Sequence, residues 1–366
     1  MIHLKPVLPK GTITGPSAVV PLQLYLQQAI EFEHATIPLY LYAMYSLDQK
    51  KNDAIADIIF SVVVEEMLHM TLAANVLNAL GGTPVIDKPD FIQKYPGHLP
   101  GGIQDDLTVS LQPFSMQQLD AFLQIEEPED PLVYPTSALL EIDAARGLTI
   151  GQFYSLISNM IGEVGDKAFI NPPRNQIGPA LMPDAVIVTN VATAQQAIRT
   201  IVEEGEGTSK SPIEVVGRYR YAHYYRLMQI KKGRKLVKDQ SGYSYSGDSI
   251  VFDPSGVYDV PGNPKVADYP SGSAQRRACN NFNYTYTSLL KTLHALFNGQ
   301  TPGDRFNAVI GLMMSLKAQA TAMMSGIPNP AAKPLPAPSF EYQPVDPGSA
   351  QAFDAQTIPS ELQPNR

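Results

Sequence analysis

Residues 54–84 read AIADIIFSVVVEEMLHMTLAANVLNALGGTP. Within them Ile59, Val62, Glu66, His69, Ala73, Val76 and Leu80 recur at alternating steps of three and four, which is one face of an α-helix. Five members of this stripe are apolar or small, and the other two form a Glu-x-x-His pair set into the buried face. A carboxylate buried without a partner costs several kcal/mol or shifts its pKa upward, so this face calls for something to bind there. Residues 24–47, LYLQQAIEFEHATIPLYLYAMYSL, repeat the device, with Glu33 in the middle of a stripe of Leu26, Ile30, Ile37, Leu41 and Met44.

A Glu on one helix facing a Glu-x-x-His on the next is the half-site of dinuclear carboxylate bundles. The i, i+3 spacing puts Glu66 and His69 on the same side of their helix, within reach of one cation. Carboxylates and imidazole suit iron, manganese or zinc. A plain Glu–His hydrogen bond that pairs two helices is the competing reading of any single such pair. Pro38 lies one turn after Glu33 and predicts a kink there. Gly81-Gly82 followed by Pro84 predicts the end of the second helix.

Further along, Ser115 opens a short helix, SMQQLDAFLQIEEP, and Thr149 caps a third long one, TIGQFYSLISNMIGEVGDKAF. Glu163 is the acid that this third helix offers to a metal, at the edge of its apolar face. Residues 193–207, TAQQAIRTIVEEGEG, read as a fourth helix with Thr193 as N-cap. Glu203, Glu204 and Glu206 crowd its C-terminal end, where mutual repulsion and the helix macrodipole both disfavour them and a cation would offset the cost. Periodicity does not choose between Glu203 and Glu204. His223 follows on a helix drawn over 211–236, close enough in sequence to fold back onto the acids. Tyr40, Tyr42 and Tyr154 are candidate neighbours of the metals, although tyrosine is also an ordinary amphipathic core residue.

The remainder is bounded by composition. Thirty-two prolines and 26 glycines in 366 residues predict long ordered loops outside the helices, among them YPGHLP around His98 and the stretch 239–272, with a hairpin in SYSGDSIVF. Net charge is −8 and pI near 5.3, which argues against nucleic-acid binding in spite of the Lys/Arg and tyrosines around His223. No apolar run reaches the roughly 18 residues that a membrane helix needs, and the N-terminal residues lack a signal-peptide core. Cys279 is the one cysteine, so no internal disulfide forms and a reducing cytoplasm is the expected setting. Two later helices, over 272–299 and 303–326, carry further apolar stripes, and a proline-rich tail from Ile327 is expected to wrap over the surface.

AIEFEHATIPLYLYAMYSL, VVVEEMLHMTLAANVLNALGGTP, YPGHLP, IVEEGEG and AHYYRL, with FNYTYTSLLKTLHALFNG and APSFEYQP, resemble the ferritin-like family of iminophenyl-pyruvate dimer synthase, found in violacein-type pigment pathways. The resemblance implies an all-α fold: a ferritin-like four-helix bundle with additional C-terminal helices and long ordered loops. In those terms the chain divides into an N-terminal arm (1–20), a metal-binding bundle with loop insertions (21–238), a loop and packed helical extension (239–326) and the tail (327–366). Glu33, Glu66 and His69 are then ligands, with Glu203, Glu206 and His223 as the matching second half. Glu203 is expected to point inward and Glu204 to be the most solvent-facing of the three acids.

The cofactor implied is iron, as a dinuclear or mononuclear centre, with manganese or zinc compatible. The function implied is a non-haem metal-dependent oxidase or oxygenase. It would use O2 on a small substrate derived from an aromatic amino acid or a 2-oxo acid, in secondary-metabolite biosynthesis. An open metal position should then face a pocket bordered by the YPGHLP loop and the 239–272 loop. No catalytic residue is assigned. No nucleic-acid or membrane partner is expected, and a homo-oligomer is compatible. The alternative is a metal-binding ferritin-like protein with a structural or interaction role and no turnover. Iron storage comes third, because the C-terminal half would obstruct a cage.

Overall fold

The computed structural model describes residues 18–102, 107–128, 148–205, 212, 221–240, 242–327, 329–331 and 333–343. Its helices are α1 (Val19–Tyr45), α2 (Gln49–Ala79), α3 (Met116–Ile125), α4 (Ile150–Val164), α5 (Val191–Gly205), α6 (His223–Lys232), α7 (Ala274–Phe297) and α8 (Pro302–Met324). Two short antiparallel ladders join them: β1 (Gly97–His98) with β2 (Thr108–Val109), and β3 (Val237–Asp239) with β4 (Gly242–Ser244). The second ladder lies N-terminal to the hairpin expected in SYSGDSIVF, whose last residues are irregular. The architecture is an all-α bundle with additional C-terminal helices. Among the described residues, no helix is long and apolar enough to cross a membrane.

The core is α1 against α2, α4 against α5, and the two pairs against each other. Capping follows the local sequence. Asp48 accepts the Lys50 amide at the start of α2, and Gly81, at φ +78°, turns the chain out of it. Ser115 caps α3, and Thr149 with Gln152 forms a capping box on α4. At α5 the cap is Asn190 rather than Thr193: Asn190 Oδ1 accepts the Thr193 amide at 2.9 Å, and Thr193 Oγ1 accepts the Asn190 amide at 3.1 Å. The helix carrying His223 starts at His223 itself, after an extended Ala222; residues 213–220 lie outside the described residues.

Both α1 and α2 are buried on nearly every face, as is expected of a helix apolar all round. His34, about 100° round α1 from Glu33, packs on a neighbouring buried face. Its Nε2 lies 2.7 Å from Tyr286 Oη on α7, and burial pushes its pKa down to about 3, so it is neutral. The 239–272 loop is pinned to the start of α2. Asn52, itself at non-helical φ −131°, binds the backbone of Asp253 and Gly256.

The described part of the tail, which ends at residue 343, does not merely wrap the surface; residues 344–366 lie outside the described residues. Leu335, Ala337, Ser339 and Phe340 are buried. A polar ladder at i, i+4, i+8 on α7 receives the tail backbone and its Ser339. Cys279 Sγ donates to Ala337 O at 2.9 Å, Asn283 accepts the Glu341 amide and binds Ser339 Oγ, and Thr287 Oγ1 accepts the Gln343 amide. These pairings satisfy buried polar groups that would otherwise be costly.

Candidate metal centre

Five carboxylates are buried among the described residues, those of Glu33, Glu65, Glu66, Glu126 and Glu204, and all five converge on two buried imidazoles, His69 and His223. α1 supplies Glu33, α2 supplies Glu65, Glu66 and His69, the end of α3 supplies Glu126, α5 supplies Glu204, and the first residue of α6 is His223. Arg226 is the one buried lysine or arginine side chain among the described residues.

Glu66 sits at the centre. His69 Nδ1 lies 3.7 Å from its Oε2, and His223 Nδ1 lies 3.2 Å from its Oε1. His69 Nδ1 is also 3.5 Å from Glu33 Oε2, and His223 Nδ1 is 3.3 Å from Glu126 Oε2. Two ligand sets follow, Glu33/Glu66/His69 and Glu66/Glu126/His223, each with ligand atoms within 4.8 Å of one another. The imidazole planes stack at 5.3 Å. Their outer nitrogens each meet a further carboxylate: His69 Nε2 is 3.1 Å from Glu204 Oε2, and His223 Nε2 is 3.0 Å from Glu65 Oε2. Phenols complete the symmetry, Tyr154 Oη donating to Glu33 and Tyr40 Oη to Glu126.

The electrostatics are those of a cation site. Burial raises Glu33 to about 8, with the Glu66 charge adding to it and His69 opposing. Burial also raises Glu126 and Glu204. For Glu66, burial is outweighed by hydrogen bonds to His223 and His69, which hold it well below the usual carboxylate range. Burial likewise opposes charge on the imidazoles, but Glu204, Glu33 and Glu66 around His69, and Glu126, Glu65 and Glu66 around His223, push both well above 6.5. With neutral imidazoles, five carboxylates and one guanidinium leave four negative charges, which two divalent cations would balance. The donor set is oxygen and imidazole nitrogen, suited to iron, manganese or zinc. Outer nitrogens bound to carboxylates are the arrangement by which proteins orient metal-ligating histidines. The residues fit the group.

Beside them lies a cavity of about 30 Å³, lined by Glu33, Glu66, His69, Glu126 and Tyr154 and by the apolar Phe32, Ile125, Ile150, Ile201 and Val202. Neither loop expected to border it does so. His98 is exposed, and the 239–272 loop is tied down at the start of α2.

The structure brings Glu33, Glu66, His69 and His223 together and rearranges the rest. Glu204, expected outermost, is fully buried, whereas Glu203 is half-exposed beside Arg199. The reason is that Ala197 and Thr200 are also buried, which turns the inward face of α5 through Ile201 to Glu204. Glu163 is partly exposed and joins neither ligand set; it lies nine residues beyond Tyr154, about 14 Å further along α4. Glu206 lies outside the described residues. Tyr42 donates to Pro261 O and is not at the centre.

Glu126 is the ligand candidate that sequence reasoning missed, although Leu119, Phe122 and Glu126 share one stripe of α3. An acid at a helix C-terminus, opposed by the macrodipole, was a second available sign. Glu65 was hidden by the expectation that α2 has one buried face; Ser61, Glu65, Leu68 and Leu72 are a second buried run.

A helical bundle whose interior gathers carboxylates and two imidazoles defines the class of carboxylate-bridged metal-binding bundles. A family model described as ferritin-like matches residues 26–232, more than half of the chain, and the chain belongs to the ferritin-like family. Among solved structures it is similar to a ferritin-like protein from Caulobacter vibrioides, at a TM-score of 0.62 and 21% identity, over 88% of this chain and 97% of that one. At that identity the likeness is one of fold. No curated protein matches the sequence significantly.

Proposed function

We propose that the protein holds two divalent iron ions at Glu33/Glu66/His69 and Glu66/Glu126/His223 and uses them in an O2-dependent oxidation of a small molecule. The observation that carries the reading is Glu66, whose two oxygens face two different histidines at 3.7 and 3.2 Å. Ferrous ions there would supply electrons for the reduction of O2. Glu66 would serve both ions, Glu33 and Glu126 would each serve one, and Glu204 and Glu65 hold the outer nitrogens of the imidazoles. Tyr154 and Tyr40 hold protons at Glu33 and Glu126. Ile125, Ile150, Ile201 and Val202 keep bulk water from the cavity.

The cavity supports turnover over a closed structural site, because it adjoins the ligands. Its size of about 30 Å³ fits O2 or about two waters. Pockets that enclose drug-sized molecules run to roughly 300–1,000 Å³. The substrate class therefore rests on the resemblance to the iminophenyl-pyruvate dimer synthase family: an imine or 2-oxo acid of aromatic amino-acid origin, in a biosynthetic pathway of the reducing cytoplasm. The small cavity is also what favours the competing reading, a metal-stabilised scaffold.

Metal analysis of aerobically purified protein, followed by anaerobic ferrous loading and exposure to O2, separates these. The proposal expects about two iron ions per chain, one for each ligand set, and an O2-dependent ultraviolet–visible change. Two ions without any O2 response would establish the scaffold, and no bound metal would end both readings.

A further inference from the structure

α8 carries two seams. Val309, Leu316, Ala320 and Met323 are buried where it packs on the body of the protein, chiefly against α7. On its other side Asn307, Gly311, Met314, Ala318 and Thr321 recur at steps of four and three, and all five are exposed. That spacing is the one by which a helix meets another helix along its length. Met314 is 67% exposed, and Ile310 beside it 39%. Phe60 of α2, also exposed, adjoins this side of α8, with Lys317 Nζ 5.7 Å from its ring centroid. The face is almost without charge. Asp304 and Lys317, toward opposite ends, are the exposed charged side chains of α8, and Arg305 is partly buried on the side away from the seam. Gly311 is a second, independent sign. Glycine inside a helix is less stable than alanine, yet a Cβ here would meet no atom within 4 Å among the described residues. The fold of one copy gives no reason for the glycine, whereas close approach of another backbone does.

We propose that α8 pairs with α8 of a second copy of this chain, antiparallel about a two-fold axis between Leu312 and Met313. In that register Met314 of each copy lies across from Gly311 of the other, and Asn307 across from Ala318. Large side chains then meet small ones, and each contact occurs twice. Asp304 comes within four helical positions, about 6 Å along the axis, of Lys317 of the second copy, which is within the reach of a lysine side chain. The two helix dipoles oppose each other. A parallel pairing would instead set Lys317 against Lys317. Each chain carries a net charge of −8, so most faces of two copies repel. This face bears one acid and one base and is its own complement. Ile310 and Phe60 extend the apolar contact at its flank.

Sedimentation velocity of the full chain over a range of concentrations tests this. Wild type should reach twice the 39.9 kDa of one chain and dissociate on dilution. Gly311→Leu should abolish the dimer. Its melting temperature, compared at a concentration where both proteins are monomeric, should stay the same or rise, because the new side chain enters open space and leucine is the better helix former. Asp304→Lys should raise the dimer dissociation constant about 3–30-fold, since symmetry removes two exposed ion pairs at once. Asp304→Lys combined with Lys317→Asp should restore it. A monomer at every concentration would overturn the proposal and leave the face to a different partner. A dimer indifferent to Gly311→Leu would overturn it by placing the interface elsewhere. A double variant that dimerises no more tightly than Asp304→Lys would overturn the antiparallel register.

Discussion

His223 Nδ1 lies 3.2 Å from Glu66 Oε1, although the two residues are on separate helices with most of the bundle's chain between them. The same glutamate is 3.7 Å from His69 on its other oxygen. A carboxylate shared in this way makes the two ligand sets one unit, so losing it should cost both ions. Glu66→Gln, nearly isosteric, is expected to lower metal affinity at both positions by more than the roughly 10–100-fold of an outer-shell loss. Metal counting after desalting measures it. Retention of one full equivalent would show that Glu66 serves one side only.

The metal-free protein should lose stability as pH rises through the neutral range. Glu33 holds its proton to about 8 in the fold against an ordinary 4.5, Glu126 and Glu204 shift the same way, and His69 and His223 are raised well above 6.5. Each group binds its proton more tightly folded than unfolded, so the stabilisation is complete at low pH and is lost between the unfolded and folded values. Glu65 and Glu66 are shifted down and act below this window. Metal binding displaces these protons, so metal affinity should rise with pH over the same range. Thermal melts of stripped and loaded protein from about pH 5 to pH 8 should therefore diverge. Parallel curves would count against the buried cluster.

Glu203→Gln and Glu163→Gln should leave metal content unchanged and alter stability by no more than about 0.5 kcal/mol, as is usual for sites that are not tightly packed. Glu126→Gln should remove the ion on the His223 side. Loss of metal in Glu203→Gln with retention in Glu126→Gln would reverse the assignment of the second half.

Tyr154→Phe removes the hydroxyl that donates to Glu33, leaving the ring buried against Phe153. A hydrogen bond to a carboxyl group of this kind is worth about 1.5–3 kcal/mol if charged and less if neutral. Because Glu33 holds its proton to about 8 without metal, urea titration of the metal-free variant near pH 7 should show a loss of about 0.5–1.5 kcal/mol, with metal stoichiometry retained. Loss of metal instead would make the phenol a ligand.

Phe340, 1% exposed, packs edge-on to Phe282 at 5.0 Å and Tyr286 at 5.2 Å. Phe340→Ala should cost about 3–5 kcal/mol, as deletion of a buried aromatic does. A near-neutral effect on the melting temperature would return the tail to a surface role.

The helices and half of the centre were legible in local sequence, because helical periodicity is a local property and an acid within an apolar stripe is visible without knowing its partner. Glu33, Glu66 and His69 were found that way, and so were the caps at Ser115 and Thr149. Tertiary structure decided what periodicity leaves open. Which of Glu203 and Glu204 turns inward depends on how α5 is rotated against α2, and adjacent residues differ by only about 100° on a helix. Glu126 shares a local apolar stripe with Leu119 and Phe122, but its partner His223 is brought to it only when the end of α3 packs against α6. The tail follows the same rule. Its burial depends on Cys279, Asn283 and Thr287 of α7, buried polar groups whose partners come from a segment more than 50 residues further along the chain. A residue's own side chain and its neighbours in sequence fix the helix it joins; what it faces is set by elements distant in the chain, because packing energy is shared between surfaces that sequence does not place side by side.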